Sequence, residues 1–277
     1  MAVHDVFRKT RPAVILLLQL CLAPVLAAQN SQAVTRVING HLDDALGPLE
    51  FRSVERRVVV GAGRVETRQA GKGALAGTFT LDTSPVTNRL RVEFGATNYD
   101  GETFEFDGTK TTIGFSQPQL SRRSALGMFI ADYDVILREG LLGGVLNAGW
   151  SLLDLSRRQA KIETDGMKNF DGRGHYKMRY RAKSRQGDLD IALYFDPKTY
   201  RHTATVYSWS RAQNLGATIV SSSQESDLFL QLEERFGDFE PFGKLTLPTT
   251  WSMAYTETGN RSTFWRYTFK VSEIRRP

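Results

Sequence analysis

Strict alternation of apolar and polar residues, repeated over about a dozen short segments, constrains this chain more than any motif does. Tyr176, Met178 and Tyr180 fall on one parity while Lys177, Arg179 and Arg181 fall on the other. Near the C-terminus Trp265, Tyr267, Phe269 and Val271 alternate with Arg266, Thr268 and Lys270. Successive side chains of a strand point to opposite faces, so these segments predict antiparallel sheet that is wet on one side and packed on the other. The predicted strands are Phe51–Val60, Val65–Gln69, Gly77–Leu81, Arg89–Phe94, Thr103–Phe106, Thr111–Phe115, Ala160–Thr164, Tyr176–Arg181, Leu189–Phe195, Thr203–Trp209, Asp227–Phe236, Lys244–Leu247, Thr250–Tyr255 and Ser262–Val271. Turn residues mark the joints: Gly61-Ala62-Gly63, Gly71-Lys72-Gly73, Ser84-Pro85, Asp100-Gly101, Asp107-Gly108, Asp171-Gly172, Gln186-Gly187 and Asp196-Pro197. The polar run 213–226 reads as a surface loop.

One stretch, Ser124 to Leu155, breaks the pattern. Leu126, Phe129, Ile130, Tyr133, Ile136 and Leu137 recur every three or four residues, which predicts helix. Gly140, Gly143 and Gly144 notch the second half of the stretch. A second helix is expected from Ser31 to Leu46, ended by Gly47-Pro48. The fold class is therefore α+β, mainly antiparallel β, with a helical insert over about 121–156. A sheet with one greasy face needs a cover, and a cover notched by glycines is a candidate lid.

The first 28 residues have the form of an export signal. Arg8, Lys9 and Arg11 precede the apolar run Ala13 to Leu22, and Val25-Leu26-Ala27 offers small residues for cleavage. The run is too short to span a bilayer as a helix. Cys21 is the one cysteine, so cleavage leaves none, which suits a bacterial envelope protein better than a disulfide-stapled scaffold. A lipidated Cys21 is the alternative. Residues 29–277 are expected to form a single monomeric domain. Without residues 1–27 the chain has 33 Lys+Arg and 29 Asp+Glu, a surplus of +4. The arginines are scattered, which argues against nucleic acid as a partner.

The chain resembles the LolA-like proteins, the bacterial lipoprotein carriers and envelope-stress sensors. The resemblance is carried by Gly174-His175-Tyr176-Lys177-Met178-Arg179-Tyr180 and by the strand Asp188 to Phe195, which closes on Asp196-Pro197-Lys198-Thr199. Leu247-Pro248-Thr249-Thr250-Trp251 adds to it. It implies an unclosed half-barrel covered by an N-terminal helix and a central helical lid. It also implies an apolar or lipidated ligand, an acyl chain or a lipoprotein, held between sheet and lid, and an envelope membrane protein as a further partner. The expected location is the periplasm. The chain departs from the usual carrier in its length and its large insert. For the arginine that holds the family's lid, Arg138 is the candidate.

On this reading the lid contributes Phe129, Tyr133, Leu137, Leu141, Leu142, Val145, Leu146 and Trp150 to the ligand. The sheet contributes Phe94, Phe104, Phe106, Tyr176, Met178, Ile191, Leu193, Trp251 and Trp265. The other reading makes the same residues an ordinary core. A protein-interaction module without lipid transfer is the alternative function. No cofactor, metal or catalytic set is expected. His41, His175 and His202 lack metal-ligand spacing, and no Gly-x-Ser-x-Gly elbow or phosphate loop is present. The ending Arg275-Arg276-Pro277 argues against an outer-membrane barrel.

Overall fold

The computed structural model describes residues 31–52, 55–67, 74–96, 99–115, 124–183, 187–211, 228–258 and 263–276. The expected export signal, the turn at 71–73 and the loop 213–226 lie outside the described residues.

Among the described residues twelve strands form one antiparallel sheet. The N-terminal meander comprises β1 (Arg57–Thr67), β2 (Ala74–Thr83), β3 (Asn88–Ala96), β4 (Tyr99–Phe106) and β5 (Thr111–Phe115). The C-terminal meander comprises β6 (Lys161–Phe170), β7 (Arg173–Arg181), β8 (Asp190–Phe195), β9 (His202–Arg211), β10 (Leu228–Phe242), β11 (Leu245–Thr258) and β12 (Thr263–Arg275). Pairing of β1 with β12 joins the two meanders at the middle of the sheet. β5 and β6 stand at its opposite ends, so the half-barrel is not closed.

Two glycine-marked joints and one predicted break between strands turn out otherwise than expected. Residues 61–63 are no turn: β1 runs straight through them, and Phe51 and Arg52 belong to a short helix, α2 (Leu49–Arg52). A Cβ on Gly61 would collide with the Lys270 carbonyl and come within 2.8 Å of the Phe79 ring. Glycine is there because β12 and Phe79 press onto the backbone at a register shift. Asp100-Gly101 likewise lies inside β4, against Val92 of β3. The segments 244–247 and 250–255 are one strand, β11, carried through Pro248. Asp107-Gly108 and Asp171-Gly172 do turn the chain. Both residues of the second pair have positive φ (55° and 77°), as a tight hairpin requires.

The first helix, α1, covers residues 31–46, with its last turns Gly40–Leu46 wound wider than an α-helix. Gly40 lets it sit directly on the Tyr200 ring, since a Cβ there would be 2.6 Å from that ring. The segment between β5 and β6 is shorter in helix than its periodicity suggests. It contains α3 (Ala125–Asp132), α4 (Val135–Arg138) and α5 (Leu155–Arg158), linked by single turns at Gly144–Leu146 and Ser151–Asp154. Ser124 caps α3 by accepting from the Gly127 N–H at 2.8 Å.

Candidate functional site

The insert lies on the inner face of the half-barrel, and its apolar side chains merge with those of the sheet. Phe129 packs on Tyr255 with ring centroids 5.3 Å apart. Phe79, Trp251 and Phe269 form an aromatic layer across β2, β11 and β12, with centroid spacings of 4.6–6.1 Å. The lid candidates Phe129, Leu137, Leu141, Leu142, Val145, Leu146 and Trp150 are each at most 2% exposed. Side chains so enclosed are shut off from solvent. Phe94, Phe104, Phe106, Met178, Ile191, Leu193, Trp251 and Trp265 are buried in the same cluster. Tyr133 and Tyr176 pack against it from half-buried positions, Tyr176 stacked on Tyr200. The structure thus brings the two predicted groups together, packed on one another.

Residues 139–152 are buried throughout, yet contain only short turns. Backbone polar groups so placed need partners, and inward-facing side chains of the sheet supply several. Glu234 of β10 accepts the Gly143 N–H at 2.9 Å. It also accepts the Trp251 indole N–H at 2.9 Å and the Tyr207 hydroxyl at 2.8 Å. Arg57 of β1 donates to the carbonyls of Val145 (2.8 Å) and Leu146 (3.4 Å). Thr83 of β2 accepts the Ala148 N–H at 2.9 Å. Within the insert, Asn147 donates to the Leu142 carbonyl and accepts from the Gly149 N–H.

Two more carboxylates hold the ends. Glu102 of β4 accepts the Ser124 N–H at 2.8 Å and the Tyr99 hydroxyl at 2.9 Å, with Tyr267 2.7 Å from that hydroxyl. Glu139 accepts the Tyr180 hydroxyl at 2.8 Å, and Arg158 lies 3.8 Å away. Trp150 donates its indole N–H to His41 of α1 at 3.2 Å, and His202 lies against the same ring. Gly143, at φ +81°, allows the backbone to approach Leu81, whose Cδ2 would lie 2.8 Å from a Cβ. The glycines of the insert therefore serve close approach in this state.

Burial shifts the ionisable groups among these. It raises the Glu234 carboxyl to about 7, against the lowering effect of its three donors. It pushes Arg57 down to about 10 and His41 to about 4, and holds His202 well below the usual imidazole value. The neutral His41 ring can thus accept from Trp150.

Arg138, the sequence candidate for the lid-holding arginine, pairs with Asp134 on its own segment at 2.6 Å. Arg57 of the sheet reaches the insert, through the Val145 and Leu146 carbonyls. Sequence reading passed over Arg57, Glu102 and Glu234, although parity marks them. Glu234 stands between Leu232 and Phe236, and Glu102 two residues before Phe104, each on the apolar side of its strand. Among the described residues no group of three or more His, Cys, Asp or Glu could hold a metal ion. No described helix is long and apolar enough to cross a membrane.

No family model and no curated protein matches the chain. Solved structures do. A LolA superfamily protein of Nitrosomonas europaea aligns over 90% of this chain and 94% of its own, at 10% identity and a TM-score of 0.44. A domain from Vibrio parahaemolyticus, described as outer membrane lipoprotein-sorting, aligns over 90% and 92%, at 8% identity and 0.44. A DUF1329 family protein of Desulfovibrio piger aligns over 82% and 88%, at 10% identity and 0.36. The structure itself has the architecture that the sequence led one to expect: an unclosed antiparallel half-barrel with helices against its inner face.

Proposed function

We propose that this is an exported envelope protein of the carrier or sensor kind, with its insert occupying the place of its ligand. An apolar or lipidated molecule takes the inner face when the insert moves aside. The observation that carries the reading is the build of residues 139–152. They are buried, poor in regular structure, and held to the sheet by Glu234, Arg57 and Thr83. A segment attached through a handful of side chains can leave as a unit. An acyl chain entering in its place would regain about 0.8 kcal/mol for each methylene it buries, without any specific chemistry. Leu141, Leu142, Val145, Leu146 and Trp150 then become the mobile wall, with Phe129 and Leu137 of the helical half at its edge. Phe104, Met178, Ile191, Leu193, Trp251 and Trp265 become the fixed one. The protein acts in the periplasm as a monomer after losing its leader, and binds without catalysing a reaction. The buried carboxylates serve as acceptors for the insert and the tyrosines around it.

The test uses the lack of cysteine in the cleaved chain. Thr83→Cys with Ala148→Cys places two thiols where a hydrogen bond now joins the residues. Oxidised, the pair should abolish uptake of a fluorescent fatty acid, and reduction should restore it. Equal uptake in both states would defeat the displacement reading. A second reading, a groove for a partner's polypeptide segment, rests on the backbone acceptors and donors now engaged by 143–148. Mass spectrometry of both lipids and proteins retained by the reduced variant from membrane extract separates the two.

A further inference from the structure

At the edge of the insert–sheet interface, a crevice of about 260 Å³ opens between α2, the Ser84-Pro85 turn joining β2 to β3, and residues 148–158. Among the described residues three arginines line it, Arg52, Arg157 and Arg158, with Asp154 as the one acidic residue. The rest of its described wall is mainly apolar: Leu49, Pro85, Ala148, Trp150 and Leu153. Leu49 stands at the rim, 67% exposed.

The arginines are not spent on one another's neighbours alone. Arg52 and Arg158 have side chains only 7% and 11% exposed. Arg52 gives one Nη to Asp43 at 3.0 Å. Arg158 directs its Nη groups to the carbonyls of Gly149, Arg138 and Pro85, and its carboxylate neighbour Glu139 is 3.8 Å away. Arg157 pairs with Asp154 and reaches the Pro85 carbonyl. Among the described residues, the buried Nε–H groups of both Arg52 and Arg158 lack a hydrogen-bond acceptor. A buried donor on a charged group is costly to leave unpaired. Both guanidinium groups belong to residues that line the crevice, and guanidinium groups recognise carboxylate and phosphate through paired N–H donors.

We infer that this crevice binds an anionic group, a carboxylate or phosphate, held by Arg52 and Arg158 with its apolar continuation on Trp150, Leu153 and Leu49. The volume is small for a whole ligand, since drug-sized sites run from about 300 Å³ upward. It fits a head group and its first carbons. The site is formed with the insert in place, since Ala148 and Trp150 belong to its wall, so it can be tested without displacing the insert.

Isothermal titration with octyl phosphate, inorganic phosphate and octyl glucoside tests it. Octyl phosphate should bind one to one, and more weakly at high salt. Arg52→Gln and Arg158→Gln should each weaken it about tenfold or more. Arg158→Gln removes bonds to three carbonyls and is judged only if its thermal melt matches the parent. Leu49→Asp, on an exposed residue, keeps the test open: a carboxylate at the rim should weaken octyl phosphate several-fold and leave octyl glucoside unaffected. Inorganic phosphate binding as tightly as octyl phosphate, and lost in the same variants, would assign the site to a free anion. Octyl phosphate binding no better than octyl glucoside, or untouched by Arg52→Gln and Leu49→Asp alike, would overturn the inference.

Discussion

The two halves of the insert are buried against the same sheet by different means. Residues 124–138 are mostly helical, so their backbone pairs largely within itself, and Phe129, Ile130, Ile136 and Leu137 need only apolar neighbours. Met128, on the outward side of α3, is 54% exposed, as one face of a surface helix should be. Residues 139–152 have no outward face at all. Short of regular structure, they take acceptors and donors from Glu234, Arg57 and Thr83. Burying irregular backbone therefore dictates where a greasy sheet must carry charge. The first half is held by area, the second by a few directed bonds, and the second is the half that single substitutions can release.

The sharpest way to break this contrast is Glu234→Ala. It strands the Gly143 N–H, the Trp251 indole N–H and the Tyr207 hydroxyl together, three donors in a buried site. Each buried donor left without an acceptor costs about 1–3 kcal/mol, so the three together cost about 3 kcal/mol or more. Urea unfolding should show a loss of that size, together with faster proteolysis within 139–152. A loss below about 1 kcal/mol would mean that the donors find other acceptors and that the coil half is not held by this residue.

Next in size is pH. Glu234 titrates at about 7 in the folded protein against an ordinary 4.5, so the folded state holds its proton more tightly than the unfolded chain does. Its contribution is complete below pH 4.5 and is lost as pH rises toward 7. His41, lowered to about 4 from 6.5, acts oppositely: its contribution is present above pH 6.5 and lost as pH falls toward 4. Comparing the protein with Glu234→Gln cancels the histidines. The parent should gain on the variant by on the order of 3 kcal/mol as pH is lowered from 7 to 4.5. A difference independent of pH would remove Glu234 as the titrating group.

Arg57→Met tests the same half from the other meander. Met fills similar space but leaves the carbonyls of Val145 and Leu146 without this donor, at a cost of about 2 kcal/mol. Hydrogen exchange at residues 143–148 should accelerate while that of α3 stays unchanged. Equal acceleration in both would show that the insert opens as a single body.

Much of the sheet could be read from the sequence because period-two alternation survives wherever a strand has one wet face. Thr111–Phe115 matches β5 to the residue, and the Asp107-Gly108 turn is where it was expected. Glycine was misread because it has two uses. At Gly61 and Gly101 it admits a neighbouring backbone or ring, which depends on strands far away in sequence. The helix periodicity of 124–137 was legible, but the coil of 139–152 was not. Its conformation depends on Glu234 and Arg57: strand parity puts both on the apolar side, but which backbone groups they meet depends on a segment about ninety residues away in sequence.

The smallest expected effect lies on the helical half, at Asp134. Its carboxylate meets Arg138 four residues on, at 2.6 Å, with the two side chains 41% and 27% exposed. Solvent screens such a pair, and exposed i, i+4 pairs contribute only about 0.3–0.5 kcal/mol. Asp134→Ala should therefore shift the urea midpoint little and leave exchange in 139–152 as it was. This variant and Arg57→Met each remove one side of an arginine's bonding, one on the insert's own surface and one between insert and sheet. If Asp134→Ala loosened 139–152 as much as Arg57→Met does, Arg138 would regain its place as the holding arginine. The division of the insert into a half held by area and a half held by bonds would then fail.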